Sequence, residues 1–216
     1  MSLLLAAVLF AVAPAGPPVE PGPFRAPELV ELTALEPGIR LAVRYARSDN
    51  FLGQPVYREA RAFLQRPAAE ALVRAHRSLA GKGYGLMVFD GYRPWSVTKA
   101  FWDATPDEKK VFVANPARGS RHNRGCAVDV TLYHLDTGKA ADMGSVYDEA
   151  SPRSYVTWEG GTQEQLDRRE LLRDALAREG FFVYSWEWWH FDFKDWREYP
   201  VLNVPFEEIG RSAPAR

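Results

Sequence analysis

A single cysteine, Cys126, in a chain of 216 residues is the strongest constraint on what this protein can become. An intrachain disulfide needs two thiols and a cysteine-built metal site needs several, so neither can staple the fold. Stability must come from buried apolar surface, and a chain of this length can supply it as one domain. With 46% hydrophobic and 25% charged residues, the sequence is neither a disordered chain nor a membrane bundle. The 27 basic and 28 acidic side chains leave a net charge of −1. That balance lacks the broad basic field of a nucleic-acid binder, so the expected partner is small or locally recognised. Oligomeric state stays open.

Residues 1–15, MSLLLAAVLFAVAPA, carry no charged side chain and end in the small-residue patterns AVA and APA. The run is too short to span a bilayer and reads as a secretory signal, which places the mature protein in the periplasm or outside the cell. The competing reading is an apolar N-terminal helix or anchor on a cytoplasmic protein. Residues 16–28 continue as a proline-rich extended leader, and residues 29–216 form one domain.

Within that domain, residues 67–82 combine good helix formers with Pro67 at the start and Gly81 and Gly83 at the end, which predicts a helix. YGLMVFD then has the length of a buried strand, and GYRP the chemistry of a turn. Thr105 and Glu108 form a capping-box signature that predicts a short helix there, and Thr162 with Gln165 predicts a longer one closed by Gly180. Residues 126–135 and 181–193 are rich in β-branched or aromatic residues and read as two strands. The sum is an α+β domain with a small, mainly antiparallel sheet and helices packed against it. Glu149 to Gly161 shows no periodicity and is expected to be a lid or binding loop.

Two of the four histidines fall in motifs that also hold a carboxylate, one leading into the first strand segment and one within the second. SRHNRGCAVDV holds His122 and Asp129; SWEWWHF holds Glu187 and His190. Two imidazoles and one carboxylate can take three positions around zinc and leave the fourth for water or substrate, with the second carboxylate beside it as a base. Such a metal lowers the pKa of bound water from about 16 toward roughly 7 and polarises a carbonyl, as amide hydrolysis at neutral pH requires. A straight strand would hold His122 and Asp129 roughly 23 Å apart, so the site requires the Asn123-Arg124-Gly125 segment to turn. A flat strand would also send Glu187 and His190 to opposite faces, so the site requires a bulge, a strong twist or a strand end there. Spacing alone leaves open a hydrogen-bonded surface pair for the first motif and an aromatic core strand with polar ends for the second. Cys126 is read as a small buried residue, and His76 as a surface or boundary residue.

SRHNRGCAVD and EWWH, together with DGYRP (Asp90 to Pro94), MGSVYD (Met143 to Asp148) and the early VRYARSDNFLGQPVY, resemble the zinc D-alanyl-D-alanine dipeptidases. The similarity is collinear from about Leu41 to about Pro205. SRHNRGCAVD and EWWH are shared with D,D- and L,D-carboxypeptidases and related murein endopeptidases, whereas MGSVYD and the early segment are closer to the dipeptidases. The resemblance implies one zinc ion per chain, held by His122, Asp129 and His190 at the sheet, with Glu187 as the catalytic base. It implies that Arg93 stabilises the oxyanion, where an ion pair fixing the turn is the competing role. It implies that Asp148 binds the free α-ammonium of a dipeptide and that Ser120 positions the substrate. Tyr45 and Tyr57 would line the pocket, or pack in the core. The implied activity is hydrolysis of D-Ala-D-Ala to two D-alanines; a murein D,D- or L,D-carboxypeptidase and a non-catalytic zinc-stabilised binding module are the alternatives.

Overall fold

The computed structural model describes residues 16–210. The expected secretory signal, residues 1–15, lies outside the described residues, as do 211–216. Among the described residues, seven strands and four α-helices follow one another in an interspersed order. They are β1 (Leu29–Glu31), α1 (Leu32–Leu35), β2 (Arg40–Leu41), β3 (Phe63–Gln65), α2 (Arg66–Leu79), β4 (Tyr84–Asp90), α3 (Trp95–Ala104), β5 (Ala127–His134), α4 (Gln163–Arg178), β6 (Phe181–Tyr184) and β7 (Glu187–Phe193). A five-stranded sheet runs β2-β4-β5-β7-β6, and β1 with β3 makes a separate two-stranded piece. The sheet is mixed: β2 lies parallel to β4, and the other pairs are antiparallel. Among the described residues no helix is long and apolar enough to cross a membrane.

Alternation along the strands divides the sheet into two unlike faces. Leu86 and Val88 of β4, Val128, Val130 and Leu132 of β5, and Phe181 and Phe191 of β6 and β7 share one core with Leu72 and Leu79 of α2 and Leu172 and Leu176 of α4. Each side chain of this kind contributes about 1.5–3 kcal/mol when fully buried, so this face holds the sheet to its helices. The opposite face carries Asp129 and His190, which are direct cross-strand partners. Beside it a second cluster gathers Val43, Tyr45, Tyr57, Phe63, Tyr92, Phe101 and Phe206.

Two departures from regular pairing feed that second face. Val88 pairs with Val130 but Asp90 pairs with Asp129, so a bulge at Phe89 turns Asp90 from the core side to the side of Asp129. On β7, Phe191 pairs with Val183 and Glu187 with Tyr184, so residues 188–190 bulge out of register with β6. The second is the irregularity that Glu187 and His190 require in order to meet.

Local chemistry explains most elements. Arg66–Leu79 has Pro67 in its first turn, and the following 3-10 turn ends on Gly83 at φ 81°. Thr162 and Gln165 form a complete capping box at the start of α4. The Thr105 expectation is corrected: Thr105 ends α3, its hydroxyl donates back to the Phe101 carbonyl, and Pro106 precedes a 3-10 helix over Asp107–Phe112. Residues 181–193 are two strands, separated at Ser185–Trp186. His76 is buried, its Nδ1 accepting from the Leu86 N–H across α2 and β4. The leader is docked: Glu20 pairs with the buried Arg124 and accepts from the Val201 N–H, and Arg25 donates its N–H to the Glu198 carbonyl.

Gly91, between β4 and Arg93, passes close to β3. A Cβ there would lie 2.7 Å from the Phe63 carbonyl oxygen, a backbone atom that cannot move aside cheaply. Gly91→Ala is expected to cost about 1–3 kcal/mol as overpacking, seen as a lowered urea midpoint; an unchanged midpoint would contradict the close approach.

Candidate metal centre

The segment between α3 and β5 turns as the site requires. His122–Arg124 is a single 3-10 turn, and Gly125 follows at φ 66°, in the left-handed region. The turn is anchored to β3, where Gln65 donates its N–H to the Gly125 carbonyl and its side-chain amide to the Arg124 carbonyl. His122 is thereby folded back over Asp129, and His190 arrives from the neighbouring strand. His122 Nε2 lies 3.1 Å from His190 Nδ1 and 3.4 Å from Asp129 Oδ1, and His190 Nδ1 lies 3.0 Å from Asp129 Oδ1. All three side chains are buried.

The remaining nitrogens identify the atoms that face inward. His122 Nδ1 is 2.7 Å from the Gly91 carbonyl, which can only accept, so Nδ1 carries the proton and Nε2 presents a lone pair. His190 Nε2 is 3.0 Å from Asp192 Oδ1, which fixes the opposite tautomer and leaves Nδ1 free. Two lone pairs and a carboxylate oxygen thus converge on one point, an arrangement that repels itself unless a cation sits between them. Tetrahedral zinc with bonds of about 2.0–2.1 Å would separate its ligands by roughly 3.3 Å, which matches the observed spacing. The electrostatics show the same demand for positive charge, which a proton on His190 meets where no metal is bound. Burial would lower the His190 pKa, but its bonds to Asp129 and Asp192 carry it up to about 10. Burial pushes the Asp129 carboxyl up, yet the His122 and His190 imidazoles outweigh it and hold it well below the usual carboxylate range.

Around these donors stand the other groups singled out in the sequence. Glu187 Oε2 is 3.9 Å from His190 Nδ1, close enough to share a water at the centre, and burial raises its carboxyl. Arg93 is buried and donates from Nε and Nη2 to Asp90 Oδ2 at 2.9 and 2.8 Å, with its guanidinium 4.7 Å over the Phe101 ring. The turn-fixing ion pair is therefore real, and it also holds a cation beside the donors. Tyr45 donates to Asp148 Oδ2 at 2.8 Å. Asp148 is solvent-exposed in its cleft, with backbone φ 61°, a conformation rare outside glycine and tolerated by Asp. Crowding by the cleft walls, followed by the Asp129 charge, pushes its carboxyl up to about 7. Ser120 lies in the turn itself, its hydroxyl accepting from the His122 N–H at 3.2 Å. Tyr57 is buried and donates to Asp90 Oδ1 at 2.9 Å, which makes it a support for the Asp90–Arg93 pair. Cys126 is fully buried, outside the donor cluster.

Three residues were not assigned roles from sequence. Asp90 anchors Arg93, Tyr147 donates to Asp129 Oδ2 at 2.8 Å, and Asp192 orients His190. The first two lie inside DGYRP and MGSVYD, and Asp192 follows His190 by one strand period; those were the available signals. A cleft of about 200 Å³ is lined by Arg44, Asp49, Asn50, Phe51, Tyr147 and Asp148; none of the donors lines it, and Tyr147, bonded to Asp129, links it to the centre. It falls below the roughly 300–1,000 Å³ of drug-sized sites and suits a very small ligand. A larger hollow of about 390 Å³ lies between Val56–Glu59 and Pro205–Glu208 and includes none of the donors.

An α+β domain that brings two imidazoles and a carboxylate to one point, with a further carboxylate and an arginine alongside, belongs as a class with the mononuclear metallohydrolases. The profile of the D-ala-D-ala dipeptidase family of peptidases matches residues 25–208. The chain belongs to that family. It is 38% identical over 187 residues to the D-alanyl-D-alanine dipeptidase of Enterococcus faecalis, covering 78% of this chain and 92% of the relative. It is 35% identical over 180 residues to the D-alanyl-D-alanine dipeptidase of Escherichia coli, covering 83% and 91%. Among solved structures, an LD-carboxypeptidase studied for peptidoglycan recognition aligns with TM-score 0.45 and 18% identity, over 80% of this chain and 71% of the other.

If Asp192 orients His190 toward a metal, Asp192→Ala is expected to weaken zinc binding by about 10- to 100-fold, measured by competition with a chromophoric chelator. Unchanged affinity would show that His190 is oriented by other contacts.

Proposed function

We propose that this protein is a zinc-dependent dipeptidase that hydrolyses D-Ala-D-Ala to two D-alanines. The observation that carries the reading is the convergence of His122 Nε2, Asp129 Oδ1 and His190 Nδ1 beside Glu187, in a chain of the D-ala-D-ala dipeptidase family. One zinc ion held by those three donors would supply Lewis-acid polarisation of the scissile carbonyl and an acidified water.

The chain's own groups then divide the remaining work. Glu187 takes a proton from the attacking water and passes it to the leaving amine; its raised pKa suits both halves of that transfer. Arg93, held in place by Asp90, faces the negative charge that develops on the carbonyl oxygen. A preorganised cation there lowers the barrier by a few kcal/mol, on the order of 100-fold or more in rate. Asp148 pairs with the α-ammonium of the dipeptide, and Tyr45 holds that carboxylate ready. A cation one residue from the scissile bond exists in a dipeptide and is absent from a longer peptide. Ser120 acts through the His122 turn.

The uncharged apolar run at residues 1–15 supports export, which would put the enzyme in the periplasm or medium, where peptidoglycan turnover releases D-alanyl peptides. The presence of both Glu187 and Arg93 beside the donors favours catalysis over a zinc-stabilised binding module.

D-Alanine release from D-Ala-D-Ala and from a pentapeptide ending in D-Ala-D-Ala, measured side by side, tests the reading. The dipeptide is expected to turn over and the pentapeptide to be nearly inert. Comparable turnover of both would identify a carboxypeptidase instead, and inertness of both in zinc-loaded protein a binding module. Glu187→Gln is expected to keep its zinc and lose about 10²–10⁴-fold in kcat; near-normal kcat would remove Glu187 from the mechanism. The ammonium pairs with ionised Asp148, so KM for the dipeptide should rise as pH falls through about 7. Asp148→Asn should abolish that rise, and an unaltered pH profile of KM in this variant would assign the titration to another group.

A further inference from the structure

The segment that presents Tyr147 and Asp148 has little regular structure of its own. From residue 141 to 161 it contains one three-residue 3-10 turn, Pro152–Ser154, and no strand. Its conformation must be imposed by side chains, and one of them reaches four points along it. Arg169 of α4 donates from Nε to the Met143 carbonyl at 2.6 Å, and from Nη2 to the Arg153 carbonyl at 2.9 Å and the Ser145 hydroxyl at 3.3 Å. Its Nη1 reaches the Tyr155 carbonyl at 3.4 Å. The guanidinium lies 4.7 Å from the centre of the Trp158 ring and 5.2 Å from that of Trp188. Its hydrogen bonds go to carbonyls and a hydroxyl, none to a carboxylate. A planar five-donor fork is suited to gathering several carbonyls of one loop, which an ammonium cannot do with the same geometry.

The grip extends to the catalytic strand. Trp188, next to Glu187 on β7, donates Nε1–H to the same Ser145 hydroxyl at 2.8 Å. Gly144, at φ 83°, has the Trp158 ring where a Cβ would otherwise stand. Arg169, Trp158 and Trp188 therefore lock Met143–Tyr155 against the strand that carries Glu187 and His190. Asp148, three residues beyond Ser145, holds a left-handed backbone conformation, uncommon outside glycine, that its surroundings maintain.

We propose that Arg169 is a positioning residue for substrate recognition: its guanidinium fixes the Met143–Tyr155 loop so that Asp148 stands at the amino-terminal end of the dipeptide. The inference rests on the reading of Asp148 as the ammonium receptor. Arg169 is neither one of the three donors nor a residue of the cleft lining, so its loss should act on binding and amine selectivity more than on the chemical step.

The test uses the zinc-loaded full chain and its Arg169→Lys and Arg169→Gln variants, with D-Ala-D-Ala and N-acetyl-D-Ala-D-Ala as paired substrates. Zinc content and thermal midpoint establish that each variant is folded and loaded, and Arg169→Lys provides the charge-conserving case should the glutamine variant fail to fold. A small displacement of a positioning group costs on the order of 10- to 100-fold. Arg169→Lys is accordingly expected to raise the dipeptide KM about tenfold or more, to change kcat by less than about threefold, and to narrow the preference for the free amine by a similar factor. A folded, zinc-loaded variant with an unchanged KM and preference ratio would overturn the role of Arg169. Wild-type protein that shows no preference for the free amine would overturn the reading of Asp148, and this proposal with it.

Discussion

The cross-strand pairing of Asp129 with His190 is the contact on which the rest of the structure depends. It puts a carboxylate and an imidazole side by side on the face of the sheet opposite α2 and α4. The His122 turn then adds a second imidazole from above. Three electron-rich atoms within 3.0–3.4 Å of one another cannot be a neutral resting arrangement without a cation or bound protons to offset their repulsion. The helix-covered face supplies the apolar burial that keeps them together. Stability and chemistry are thus assigned to opposite faces of one sheet.

Around that pairing the protein spends irregular backbone where it needs unlike side chains on one surface. The bulge at Phe89 brings Asp90 round to the site, and through Asp90 it fixes Arg93 and receives Tyr57. The bulge on β7 lets Glu187 and His190 serve one centre although regular pleating would part them. Asp148 adds a third departure, a left-handed residue at the cleft, held by Tyr45 on one side. Each irregularity lies within reach of the donors, whereas the pairing of β5 with β4 away from Asp90 is regular. Bulges of this kind re-aim side chains and are enriched beside active sites.

Much of the centre was legible in the sequence because its chemistry uses scarce residues. Two of four histidines, each close to a carboxylate, marked the donors, and the distance argument correctly demanded a turn after His122 and a break in the pleat near His190. What lay beyond reach was non-local. The order β2-β4-β5-β7-β6 and the parallel β2 depend on pairings that no local signal records. Helix α3 was hidden because WSVTKAFWDA is rich in aromatic and β-branched residues and follows a turn-like GYRP. The Thr105 box was misread because Thr105 closes the preceding helix and Pro106 opens the next turn. The strand over 181–193 was split by Ser185-Trp186, a reversal without Gly or Pro to announce it. Tyr57 gave no sign of its partner, since Asp90 is 33 residues away.

The central claim is that His122, Asp129 and His190 form the ligand set of a single zinc ion. Zinc K-edge X-ray absorption on the purified protein reads that set directly. The account predicts one zinc per chain, with two imidazole nitrogens and carboxylate or water oxygens at about 2.0–2.2 Å. A sulfur scatterer at about 2.3 Å, which only Cys126 or a methionine of this chain could supply, or a first shell without imidazole, would contradict it.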